Sequence, residues 1–224
     1  MFVTGTDTGV GKSVVAAAIC AALAARGTRV AAFKPVVTGI QEPPEGDWPP
    51  DHELLAAAAG GAQTPGDVTP YTFAKPVSPH YASELEGTTI DPARIAARAR
   101  SAAGEADVLV CEGVGGLLVP ITLGYSVRDL AVELGLPVVV VARTGLGTIS
   151  HSLLTVEAAR AAGLRVAGVV MSPWPERPEP IEASNRATVE QLTGVRVSAL
   201  PPTWPSQLAA AGAELPIDDW LEPG

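Results

Sequence analysis

Nine residues, Gly5-Thr6-Asp7-Thr8-Gly9-Val10-Gly11-Lys12-Ser13, stand between a short β-branched run and an alanine-rich stretch of helical character. The pattern is that of a loop that holds phosphate. Small residues let successive backbone N–H groups curl around phosphate oxygens, and a helix beginning near Lys12 turns the positive end of its dipole on them. Lys12 adds a point charge, and the Ser13 hydroxyl suits a ligand of Mg²⁺. Five residues separate Gly5 from Gly11, one more than in the common form of such loops. A nucleoside triphosphate is the expected ligand.

Two further clusters lie at predicted strand ends. Glu112-Gly113-Val114-Gly115-Gly116 follows the apolar run Val108 to Cys111, and a carboxylate there, beside a phosphate loop, is placed to hold magnesium. Lys34-Pro35-Val36-Val37-Thr38-Gly39 follows the run Val30 to Phe33. The chain has only three lysines, Lys12, Lys34 and Lys75, so two of them at one presumed edge point to charge that follows phosphoryl or carboxylate oxygens. Asp51 opens a predicted helix over 51–59, either as its N-cap or as a second carboxylate for magnesium.

Positioning these groups requires a sheet. Apolar runs Phe2 to Thr4, Val30 to Phe33, Val108 to Cys111, Pro137 to Ala142, Val166 to Met171 and Val195 to Leu200 alternate with helical stretches, which predicts a parallel sheet covered by helices on both faces. Gly27 and Gly163 stop two helices; Asp91-Pro92 and Ser126 start two others. Segments 41–50 and 64–79 are proline-rich and long, and read as functional loops, the first expected to be mobile before nucleotide binds. Residues 173–180 read as a tight irregular connection.

A chain of 224 residues with 47% hydrophobic content fits one α/β domain, residues 1–224. A net charge of −9 without any Lys/Arg cluster argues against nucleic acid. Cys20 and Cys111 lack metal-ligand spacing and read as buried hydrophobes. No apolar run is long enough to span a bilayer, and no leader precedes the first strand, so a cytoplasmic protein is expected.

Taken together, Gly5 to Ser13, Lys34-Pro35-Val36, Pro70-Tyr71-Thr72-Phe73-Ala74, Pro79-His80, Glu112-Gly113-x-Gly115-Gly116 and Leu146-Gly147-Thr148-Ile149-Ser150-His151 resemble, in order, the motifs of the dethiobiotin synthetases. The resemblance spans about two thirds of the chain. It implies a single-domain P-loop NTPase-like fold with a seven-stranded, mostly parallel sheet. It implies a homodimer that joins 7,8-diaminononanoate and CO₂, with ATP as co-substrate and Mg²⁺, to give dethiobiotin, ADP and phosphate. Lys12 and Lys34 would be catalytic, and Ser13, Asp51 and Glu112 would hold the metal. Nucleotide would contact Gly9, Val10, Gly11, Lys12, Ser13, Val14, Asp51, Glu112, Gly113, Val114, Gly115, Ser172, Pro173, Pro201, Pro202 and Thr203. The diamine or its carbamate would contact Thr8, Lys34 and Thr38, and its carboxylate tail would meet Gly147, Thr148, Ile149 and Ser150 of the partner subunit. His80 and His151 read as packing or capping residues.

Three positions depart from the family's pattern. Gly9 stands where many members carry an acidic residue, and Ser13 replaces the more usual threonine. Ser172 stands where well-known members use asparagine to read adenine, so CTP, GTP or UTP is expected to support turnover alongside ATP. Three other classes share parts of the signal. A partner-regulated ATPase of the chromosome-partitioning type usually has an extra lysine early in the loop, and Gly5 to Val10 contains none. A non-catalytic nucleotide-binding interaction domain would cap a larger enzyme, and an amide-forming synthetase would bring a glutaminase domain with a nucleophilic cysteine.

Overall fold

A computed structural model describes residues 1–42 and 48–222. Its strands are β1 (Phe2–Gly5), β2 (Val30–Phe33), β3 (Val37–Thr38), β4 (Thr72–Phe73), β5 (Val108–Gly116), β6 (Pro120–Thr122), β7 (Tyr125–Ser126), β8 (Val138–Ala142), β9 (Val166–Met171) and β10 (Val197–Ala199). The helices are α1 (Lys12–Ala25), α2 (Asp51–Ala58), α3 (Pro65–Val68), α4 (Pro79–Glu86), α5 (Pro92–Gly104), α6 (Val127–Leu134), α7 (Thr148–Ala161), α8 (Pro180–Thr193), α9 (Leu208–Ala213) and α10 (Ile217–Leu221).

The central sheet runs β10-β9-β8-β1-β5-β2, with every pairing parallel. Among the described residues it has six strands, which corrects the expected seven. The six match the six apolar runs of the sequence. The other short strands form separate pairs, β3 with β4 and β6 with β7, outside the central sheet.

Both faces of the sheet are buried, which is why its strands read as continuous apolar runs. Phe2, Phe33, Cys111, Val140 and Met171 pack on one side with Ile95 of α5, Leu130 of α6, Val156 of α7 and Val189 of α8. Val3, Ala32, Val110, Val139 and Val170 pack on the other with Ile19 of α1, Leu55 of α2, Leu208 of α9 and Trp220 of α10. The alanines of α1 let α9 lie close, and a Cβ at Gly212 would collide with the Ala18 carbonyl oxygen.

Helix ends follow the sequence signals. The Asp91 carboxylate accepts from Ala93 N–H at the start of α5, and Ser126 and Asp129 form a capping box on α6. Two readings need correction. Segment 64–79 is not a plain loop: Thr64 and Asp67 box the start of α3, and Thr72 and Phe73 pair with Val37 and Thr38. The strand expected to end at Cys111 continues to Gly116, because Val3 pairs with Glu112 and Gly5 with Gly116 across a register shift. Of segment 41–50, expected to be mobile, residues 43–47 lie outside the described residues.

Candidate active site

Because β1, β5 and β2 are neighbours and parallel, their carboxyl ends bring three distant pieces of sequence to one edge, where open α/β sheets bind ligands. The loop after β1 turns through left-handed Gly9 and Gly11, with φ of +71° and +88°, and α1 begins at Lys12. Lys12 Nζ donates to the Asp7 carbonyl oxygen at 2.8 Å, so the ammonium sits inside the curl of the loop. Burial lowers its pKa to about 8, against the raising influence of Glu112.

Lys34, just past β2, is 4% exposed and donates to Asp51 Oδ2 and Glu112 Oε1, at 2.6 Å each. Burial by itself would lower the Lys34 ammonium, but the two carboxylates outweigh it and hold it well above the usual lysine range. Burial raises the Glu112 carboxyl against the pull of Lys34. For Asp51 burial raises and Lys34 lowers, and Lys34 prevails. Ser13 Oγ donates to the same Glu112 Oε1 at 2.8 Å, while Glu112 Oε2 is buried with no protein partner among the described residues. Asp51 is the first residue of α2 and Pro50 is the N-cap, with no side-chain cap bond, so the Asp51 carboxylate serves Lys34 instead.

The glycines after Glu112 have packing reasons of their own. A Cβ at Gly113 would press on Val127, and Gly115 has φ +63° with Val119 close by; Val114 between them is half-buried. Thr8 is exposed at the loop tip, its Oγ1 facing Gly115, and Thr38 lies in β3. An open cleft of ≈ 390 Å³ beside Thr6, Asp7 and Thr8 is walled by Leu118 and Leu154.

On the other half of the edge, Ser172 is 3% exposed, and a Cβ at Gly11 would stand 3.0 Å from its Oγ. The serine therefore backs the phosphate loop. Pro173, Pro201 and Pro202 are exposed, while Thr203 is turned in and donates to the Pro201 carbonyl at 2.7 Å. Helix α7 starts after left-handed Gly147; Thr148 is buried, its hydroxyl donating to Arg143 O at 2.6 Å, with Ile149 half-buried and Ser150 exposed.

Two groups at this edge escaped the sequence reading. Asn185 of α8 donates from Nδ2 to Thr144 O and Gly145 O, at 2.9 and 3.2 Å, fixing the turn before α7. Arg143 pairs with Asp7 Oδ2 at 2.9 Å, and Asp7 Oδ1 accepts the Thr8 N–H, so that turn is also tied to the phosphate loop. Nothing in the sequence around Asn185 signals a contact about forty residues away. Asp7 was visible only as part of its loop.

The fold is similar to that of a ParA family ATPase from Chlorobium tepidum, with TM-score 0.54 and 12% identity over 95% of this chain and 90% of that one. It is equally similar to the cell division ATPase MinD of Pyrococcus furiosus, with TM-score 0.55 and 16% identity over 95% and 88%. A family model described as an AAA domain matches residues 1–206. The ATP-dependent dethiobiotin synthetase BioD of Anaeromyxobacter dehalogenans strain 2CP-C is 43% identical over 93% of this chain and 92% of its own length. That of Anaeromyxobacter sp. strain K is 42% identical over 96% and 94%. With relatives at this identity over nearly the whole of both chains, the chain belongs to the ATP-dependent dethiobiotin synthetase family.

Proposed function

We propose that the chain makes dethiobiotin from 7,8-diaminononanoate, CO₂ and ATP, residues 1–224 acting as one catalytic domain. The observation that carries this reading is the hydrogen-bonded set of buried Lys34 and Glu112 with half-buried Asp51 and Ser13 beside a phosphate loop, in a chain 43% identical to a dethiobiotin synthetase. The reaction gathers negative charge at each stage. An amine captures CO₂ as a carbamate, the carbamate oxygen attacks the γ-phosphorus, and the second amine closes the cyclic urea as phosphate leaves.

Lys12 and the loop N–H groups hold the β- and γ-phosphates, and Lys34 meets the charge that grows between phosphoryl and carbamate oxygens. The residues fit a magnesium ion: a hydroxyl, two carboxylates and an orphaned carboxylate oxygen, Glu112 Oε2, converge as hard oxygen donors. Ser13, Asp51 and Glu112 would hold it, and when bound it neutralises phosphate charge. Thr8 and Thr38 orient the diamine. Val10, Val14, Gly113, Val114 and Gly115 line the phosphate path, and Ser172, Pro173, Pro201, Pro202 and Thr203 the base. A serine offers one hydroxyl where an amide offers two matched contacts, which supports use of CTP as well as ATP.

The N–H groups of Gly147, Ile149 and Ser150, without a backbone partner among the described residues, suit the substrate's carboxylate, and we assign them, with Thr148, to the partner's site in a homodimer. Leu146, Leu118 and Leu154, exposed at 87%, 58% and 62%, support such an interface beside the cleft. Among the described residues no helix is long and apolar enough to cross a membrane, and we place the enzyme in the cytoplasm. The test is phosphate release from Mg-ATP and bicarbonate with and without the diamine, repeated with CTP. Diamine-dependent release in step with dethiobiotin is expected; hydrolysis indifferent to the diamine would refute the substrate.

A further inference from the structure

The two carboxylates assigned to the metal already have a cation of the chain's own. Lys34 reaches both from the end of β2, with its side chain 5% exposed. Glu112 Oε1 accepts from Lys34 and Ser13 together, whereas Oε2 accepts from nothing among the described residues. Lys12 feels Glu112, Lys34, Asp51 and Asp7; with Asp7 paired to Arg143, two ammonium groups balance the two remaining carboxylates. A divalent ion entering this balanced set alone meets repulsion from both lysines and must share with Lys34 the two carboxylates that it bridges. A triphosphate reverses the sign, because its oxygens attract the ammonium groups and the ion alike.

We infer that Lys34 is an internal stand-in for the divalent cation, holding Asp51 and Glu112 until the phosphates of a nucleotide draw it off, so that metal enters only with nucleotide. This rests on the assignment of Ser13, Asp51 and Glu112 to the metal. Lys34 then has two stations: across the carboxylates, and on the phosphoryl and carbamate oxygens. The move is made by the terminal ammonium on its flexible stem, which a planar guanidinium could not repeat at the same place. The departure of one cation is matched by the arrival of another, and the buried Glu112 carboxylate is never left bare.

The test is a titration of the full chain with Mn²⁺, followed by the electron paramagnetic resonance signal of the free ion, with and without a non-hydrolysable ATP analogue and against Mn²⁺ with the analogue alone. Unmodified protein should bind Mn²⁺ weakly by itself, and with the analogue should take up Mn²⁺ more tightly than the analogue does alone. Lys34→Met and Lys34→Gln should bind Mn²⁺ without nucleotide about tenfold tighter than the unmodified chain, and Mn²⁺ should raise their melting temperatures but not that of the unmodified chain. The glutamine keeps a neutral hydrogen-bond donor toward the carboxylates, so it carries the test if the methionine variant does not fold. Equal Mn²⁺ affinity in all three proteins without nucleotide would overturn the inference and leave the ligand assignment standing. Mn²⁺ uptake with protein and analogue no tighter than with the analogue alone would overturn the assignment, and the inference with it.

Discussion

Two ion pairs share one edge of the sheet and differ little in length. Lys34 lies 2.6 Å from Glu112, with side chains 5% and 0% exposed; Arg143 lies 2.9 Å from Asp7, at 46% and 52%. The first pair is dry, and removing one partner strands a charge; the second is wet, and water replaces whichever partner is lost. Distance alone would rank them as near equals. Burial separates them, and it also separates their tasks: the buried pair stands at the reaction centre, while the exposed one tethers the turn before α7 to the phosphate loop.

The sharpest break is Lys34→Ala. Its kcat should fall by about two to four orders of magnitude while nucleotide affinity stays within a few-fold, measured by steady-state turnover and calorimetric titration. Equal loss of both would place Lys34 in binding alone. Its metal-free stability should drop by about 3–5 kcal/mol, read by denaturant unfolding. A change that touches neither pair calibrates the scale: Gly212→Ala puts a methyl group into the Ala18 carbonyl between α9 and α1. It should cost about 1–3 kcal/mol and leave kcat unchanged once folded, since Ala18 lies in the middle of α1, more than a turn from Lys12 and Ser13 at its start. Arg143→Gln should lower stability by less than about 1 kcal/mol, a difference that vanishes in high salt. Smaller still is the expected reactivity of the thiols. Cys20 is fully buried, its pKa pushed up to about 12 by burial, and Cys111 is raised likewise. Native protein should give no signal with a thiol reagent, and both thiols should react on unfolding.

Local chemistry was legible in the sequence and long-range pairing was not. The phosphate loop, Lys34, Glu112 and the capping residues Asp91 and Ser126 announce themselves because each acts within a few residues of a strand or helix end. All six apolar runs became strands of the central sheet. The extension of β5 to Gly116 could not be read, since glycines mark turns by propensity, and only pairing with Gly5 makes them extended. The pairing of Val37 with Thr72, and the grip of Asn185 on Thr144 and Gly145, depend on contacts between separate segments. The one element carried over from the resemblance rather than from the runs, a seventh strand in the sheet, is the one the described residues do not contain.

The order of strands has a consequence for synthesis on the ribosome. Strand β5 lies between β1 and β2, so the first two strands made have no partner in each other. Until Gly116 has emerged, both stand with unpaired backbone edges, and β1 waits for its second neighbour until Ala142. A nascent chain of about a hundred residues thus exposes two apolar strands with nothing to close them, a species open to aggregation and to capture by chaperones. Pairing of the first two strands is tied to completion of the middle of the chain, and fragments that end before β5 should neither fold nor bind nucleotide.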